Sequence, residues 1–464
     1  MGYAALMFFK LYKNVLALVA VASLATLPVS AQSVEGVNDQ IDKLADFMEA
    51  YGFNGIVAAR EEGRTLIRPM GIANASKDTR YRKRTRFDIG QITQHITSLL
   101  ILKLVQEDKV SLNAPISTYI ADLPEEIGAI PVRMLMNHTS GLPTNLQSPD
   151  STLGYPGNLL NALQTAKLFA APGSQFQISD AGYCALGLIA ERVTGQTYAS
   201  LVRKKLFLPV GTRARLYEPD RPSDIASVSG GNIEDPYSWT NLSHYRCGAS
   251  GFIFSAEELM NWLGALADDF GPHRRLVSLL LASLGPAAQQ AAPYANGIHT
   301  SDIGFGPAIW HNGDTSTSEV FAAQALFAPI TIVLHTNSRE GWRDLFKTLI
   351  GELGIGKPLN LPPRPKACKD CDQSFIEEGI SLSFDGTMGT ASLLQADIAS
   401  DLGLVSGNKA ALFRTGDNEA VVLDIGNKAW RKLQLRPFQP LGYWQSLTLQ
   451  DIPADPPIDA PPAQ

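Results

Sequence analysis

Apolar residues follow different rhythms in different parts of this chain. From Ile96 to Val105 they fall on nearly every side, as Ile96, Leu99, Leu100, Ile101, Leu102, Leu104 and Val105. That pattern predicts a helix buried all round. Leu186, Ile189, Ala190 and Val193 recur at helical spacing and predict a second helix over about Ala181–Thr194, closed by Gly195. Ser255-Ala256-Glu257-Glu258 is a capping box and predicts the start of a third. Strand patterns lie outside this helical stretch. Gly55–Ala59 and Thr65–Ile67, joined through Glu62-Gly63, predict a hairpin. Val320–Phe327 and Ile330–Leu334 predict a strand pair broken at Ala328-Pro329. Strands at both ends with helices between them predict an α+β domain, its antiparallel sheet closed by the two ends and a helical lobe inserted.

The ends of the chain read differently. Lys10 and Lys13 precede the apolar run Val15–Ala22, and Val29-Ser30-Ala31 offers a small-residue cleavage site before Gln32. Residues 1–31 are therefore expected to be a secretory signal peptide, too short in its apolar run to span a bilayer. The large domain is expected over 32–355, followed by a stiff linker at 356–366 with Pro358, Pro362, Pro363 and Pro365. Ile380–Phe384 alternates before Asp385-Gly386, and Ala420–Ile425, Trp430–Leu435 and Ser446–Leu449 are further strand candidates. A small β-rich domain at 367–450 fits, with a disordered tail of Pro, Ala and Asp at 451–464.

Losing Lys10 and Lys13 with the leader takes the formal charge from −6 to −8, which argues against nucleic acid and anionic membrane surfaces as partners. With 45% hydrophobic residues, a core needs no disulfide framework, and four cysteines are too few for one. Cys368 and Cys371 form a C-x-x-C that reads as a local disulfide in an oxidising compartment, with a redox site or half of a zinc site as the alternatives, and Cys184 reads as a buried free thiol. No histidine pair has metal-ligand spacing, and no cofactor is expected.

Over residues 40 to 350 the chain resembles the serine β-lactamase and penicillin-binding-protein family. The resemblance is carried by Gly52–Val57, Gln106–Pro115, Met134–Pro143, Gly195–Tyr198, Leu208–Gly211 and Cys247–Leu259. It implies the family's fold, an antiparallel sheet flanked by helices with an all-helical lobe, here with a small C-terminal β domain appended. It also implies where a site should lie. The family places a Ser just after the glycine of Phe87-Asp88-Ile89-Gly90 and a Lys three residues on; here those positions are Gln91 and Gln94. One helical turn apart, Ser and Lys can exchange a proton, whereas carboxamides supply neither a nucleophile nor a titratable nitrogen.

The family's second motif, Tyr-x-Asn or Ser-x-Asn, aligns with Ile178-Ser179-Asp180. Ile178 cannot move a proton, and Ser179 or Asp180 reads as a helix cap. The third motif survives as His311-Asn312-Gly313, followed by Asp314 in place of the usual Gly-rich run. His138 reads as a hydrogen-bonded structural histidine, because nothing near it in sequence completes a base pair.

The expectation is an exported protein, periplasmic or secreted. It is a pseudoenzyme with degenerate positions Gln91, Gln94 and Ile178, and its cleft is formed by Asp180, His311 and Gly313. The cleft would bind a cell-wall peptide, another small molecule or a protein partner. Two alternatives stand beside it: a hydrolase using a displaced hydroxyl such as Thr93 or Ser98, and an interaction protein acting through its C-terminal domain.

Overall fold

In the computed structural model, the described residues are 36–74, 78–146, 155–216, 247–268, 271–281, 294–315, 318–337, 342–355, 361 and the strands between 374 and 451. The leader, the linker apart from Leu361, Cys368, Cys371 and the tail beyond Asp451 lie outside them.

Glu62 and Gly63 both take positive φ, 48° and 82°, the twist a two-residue hairpin needs. They close β1 (Gly55–Glu61) onto β2 (Arg64–Met70) in the register Glu61↔Arg64. Five more strands complete the sheet: β3 (Tyr294–Ala295), β4 (Ile298–Asp302), β5 (Pro307–Asp314), β6 (Glu319–Ala325) and β7 (Ile330–Thr336). Their order is β2-β1-β7-β6-β5-β4-β3. β1 pairs antiparallel with β7, from Gly55↔Thr336 to Glu61↔Ile330, so the sheet is closed by the two ends of the domain as expected.

β6 and β7 are buried at every position because both faces of the sheet are covered. On one face Val57, Phe321 and Leu334 pack with Ile41, Leu44 and Phe47 of α1 (Val37–Ala50) and with Trp342 and Phe346 of the C-terminal helix Trp342–Gly354. On the other, Ile56, Val320 and Val333 join the core of the helical lobe. That core is centred on α2 (Thr93–Gln106), whose residues Thr93 to Leu102 are all buried, as its unbroken apolar pattern requires.

α3 (Asp180–Thr194) starts at Ser179, whose hydroxyl accepts from Gly182 N, and stops at Gly195 in the left-handed region. α4 (Ala256–Ala267) carries both bonds of the Ser255/Glu258 capping box. Cys184 is not a free thiol. It is bonded to Cys247 across 63 residues, and Gly187 permits the approach, since a Cβ there would lie 2.0 Å from Cys247 O. The expectation failed because a single long-range pair leaves no local spacing to read. In a chain-entropy account, closing that loop adds about 4 kcal/mol.

Seven strands from Ser374–Glu377 to Tyr443–Asp451 pair in chain order as a second, meandering antiparallel sheet. Among the described residues no helix is long and apolar enough to cross a membrane.

Candidate functional site

Backbone contact sets the geometry of the site. The short strand Arg86–Asp88 turns at Gly90, with φ +52°, into a 3-10 turn that runs on into α2. Asp88 accepts from Gly90 N at 2.8 Å, and burial pushes its carboxyl up to about 6. The end of β5 presses on this turn. A Cβ on Gly313 would lie 2.0 Å from Ile89 O, and one on Gly90 would lie 2.6 Å from Asp314 N. Only glycines allow that approach. It brings the first residue of the turn after Gly90 beside the backbone of Asp314.

Gln91, half-buried, accepts from Asp314 N through Oε1 at 2.8 Å and reaches Asp180 Oδ2 through Nε2 at 3.4 Å. One turn on, the fully buried Gln94 donates from Nε2 to Asp180 Oδ1 at 2.8 Å. Two carboxamides thus fork onto one carboxylate. Asp180 is the first residue of α3, where the helix start favours a negative charge, and its own N–H donates to Thr144 O at 2.8 Å.

His138 joins this network from a loop, at a left-handed φ of 58°. Its Nδ1 accepts from Ser179 N at 3.1 Å, which leaves the proton on Nε2. That nitrogen lies 3.1 Å from Gln94 Oε1 and 2.8 Å from the Tyr294 hydroxyl, and Tyr294 also reaches Gln94 Oε1 at 3.4 Å. Burial first, then His311 and His299, pull His138 down to about 3. It is a neutral donor that fixes the Gln94 amide.

His311 and Gly313 lie on one face of β5, two residues apart. His311 is buried, binds Asn312 O through Nδ1 and is drawn down to about 4, mainly by burial. Its ring stands 6.3 Å from that of Tyr294 and 5.6 Å from that of His299. The structure therefore brings Gln91, Gln94 and Asp180 into direct contact and links His311 to them through Tyr294. Ile178 sits 41% exposed, an apolar side chain two residues before Asp180.

Sequence reasoning missed Tyr294, the Asp314 N–H and Arg343. The last bonds Asp314 Oδ1 at 2.5 Å, with Glu319 Oε1 at 3.8 Å. Asp314 follows Gly313 directly and was within reach of a sequence argument; nothing local marks Tyr294 or Arg343.

The chemistry this arrangement can perform is narrow. Gln91 and Gln94, which bond Asp180, are carboxamides, and His138 behind them is a neutral imidazole, so none of these three is an activated nucleophile. Ser98 is fully buried with its hydroxyl 3.0 Å from that of Tyr183, Thr93 is fully buried, and the Ser179 hydroxyl both caps α3 and donates to Pro143 O at 2.8 Å. Among the described residues no three His, Cys, Asp or Glu side chains converge as a metal site.

A helix that begins under the end of an antiparallel strand, facing the N-terminus of a second helix, defines the α+β architecture of the serine β-lactamases and penicillin-binding proteins. The chain belongs to the Beta-lactamase family, whose model matches residues 41–350. It is similar to the protein flp of Staphylococcus aureus (strain MW2), with 23% identity over 59% of this chain and 57% of the relative. Penicillin-binding protein 4* of Bacillus subtilis (strain 168) is 26% identical over 41% of this chain and 44% of that one. The chain therefore spans about half the length of these curated relatives. Among solved structures, the octameric penicillin-binding protein homologue from Pyrococcus abyssi matches 87% of this chain and 97% of its own at 17% identity, with a TM-score of 0.57. At that identity the likeness is one of fold.

Proposed function

We propose that this chain is an exported, non-catalytic member of the Beta-lactamase family that uses its cleft for binding. One observation carries the reading. Gln91 and Gln94 stand where the family resemblance expects a Ser nucleophile and its Lys, and both side chains are committed to Asp180. Loss of a nucleophile or its base in a serine hydrolase lowers turnover by about a million-fold, and positioning alone leaves about a thousand-fold over water. The sealed environments of Ser98 and Thr93 weigh against a displaced hydroxyl as nucleophile. Export is supported by the leader pattern at residues 1–31 and by the Cys184–Cys247 disulfide, which persists in oxidising compartments. The penicillin-binding relatives favour a cell-wall peptide as the occupant.

The test is covalent labelling of the purified protein with a reactive penicillin and with a fluorophosphonate, read by intact mass. The expected spectrum is unshifted after prolonged incubation. A stoichiometric adduct mapping to residues 41–350 would overturn the reading.

A further inference from the structure

The Gln91 side chain fills a place shaped for one chemical group. Its carbonyl oxygen takes the Asp314 N–H at 2.8 Å, and its NH2 faces Asp180 Oδ2 at 3.4 Å. The donor on one side is held by backbone, because Gly313 and Gly90 let the end of β5 and the start of the turn into α2 close on each other. The acceptor on the other side is held by the buried Gln94, which pins Asp180 Oδ1 at 2.8 Å and is itself held by His138 and Tyr294. Gln91 is the member of this set that solvent reaches: it is half-buried, whereas Gln94 is fully buried.

We propose that Gln91 is an internal occupant of a primary-carboxamide site: its side chain swings toward solvent when a ligand brings a carboxamide of its own. This deepens the binding reading above and rests on it. The selectivity follows from the two walls. A carboxamide offers an oxygen to the Asp314 N–H and an NH2 to the Asp180 carboxylate. A carboxylate in the same place sets its second oxygen against Asp180 and is repelled. An ammonium group satisfies Asp180 and leaves the Asp314 N–H unpaired. The ligand class is thus a peptide or small molecule with a terminal or side-chain primary amide. In the free protein the tethered Gln91 competes with it at high effective concentration, so binding to the wild type is weak.

The experiment uses the full chain, its Gln91→Ala variant and that variant combined with Asp180→Asn, with acetamide and acetate as probes. Binding is followed by saturation-transfer NMR, and folding by the thermal melt. In Gln91→Ala, acetamide is expected to bind at least about ten-fold tighter than acetate and than it binds the wild type. Adding Asp180→Asn is expected to abolish the preference for amide over acetate. Equal binding of the two probes to Gln91→Ala, or no gain over the wild type, overturns the proposal. Should that variant fail to fold, wild-type protein carrying 15N-glutamine decides the matter. Saturating acetamide is expected to shift the Gln91 side-chain resonances, and unmoved resonances reject the idea. A penicillin adduct in the labelling experiment would sink the non-catalytic reading alone; missing amide selectivity would sink this inference alone.

Discussion

At the scale of the residue, the two glutamines do different work. Gln94 is fully buried and joins three partners, Asp180, His138 and Tyr294, so its loss removes a hydrogen bond from each of them. An unpaired buried polar group costs about 1–3 kcal/mol. Gln94→Met keeps the volume and removes all three contacts; it is expected to lower stability by about 2–3 kcal/mol, read as a fall in the urea midpoint at unchanged slope. Gln91→Met loses the 2.8 Å bond from Asp314 N and the longer one to Asp180, but at a half-exposed position where water can replace them, and is expected to cost about 1 kcal/mol or less in the same assay. Placing the residues that the family resemblance expects, with Gln91→Ser plus Gln94→Lys, is expected to fall far short of an efficient hydrolase, because Ile178 still stands where that resemblance expects a proton-moving hydroxyl. Turnover of a chromogenic cephalosporin reads it; full family-level activity would show that the missing Tyr or Ser is dispensable.

At the scale of the element, the site depends on two backbones in contact more than on any side chain. Gly313 on β5 and Gly90 before α2 allow the strand end and the turn to meet. Gly313→Ala would place a Cβ 2.0 Å from Ile89 O, and neither backbone has room to yield without parting strand from turn. The expected result is a loss of about 1–3 kcal/mol or more, together with a broken Asp314–Gln91 hydrogen bond, seen as a lower melting temperature and faster exchange of the Asp314 amide. Protection of that amide at the wild-type level would contradict the account. The helix starts were legible from sequence: Ser179 and the Ser255/Glu258 box are local devices that need only three or four neighbouring residues.

At the scale of the molecule, burial of imidazoles governs the response to acid. Burial lowers His95, His138, His299 and His335 from 6.5 to about 3, and His311 to about 4. Between pH 6.5 and about 3–4 the unfolded chain binds more protons at these five sites than the folded one, so stability falls as pH falls through that window. Each contributes up to about 1.4 kcal/mol per pH unit. Asp88 acts the other way. Its carboxyl rises from 3.8 to about 6, so it destabilises the fold as pH rises between those values, one group against five. The net expectation is a melting temperature that drops steeply below about pH 6. A flat profile from pH 7 to pH 4 would mean that these imidazoles are not buried as neutral bases.

Sequence alone determined the hairpin at Glu62-Gly63, the buried helix α2, the capped starts of α3 and α4, and the presence of carboxamides at the two positions where the family resemblance expects Ser and Lys. Those features are written in short-range periodicity, caps and residue chemistry. Only the tertiary structure decided that Gln91 and Gln94 share Asp180, that a backbone N–H of Asp314 holds Gln91, and that Cys184 is bonded to Cys247. Such contacts join residues 63 to 223 positions apart, and one of them is made by an N–H that nearly every residue carries. The packing of strand end against helix start selects them.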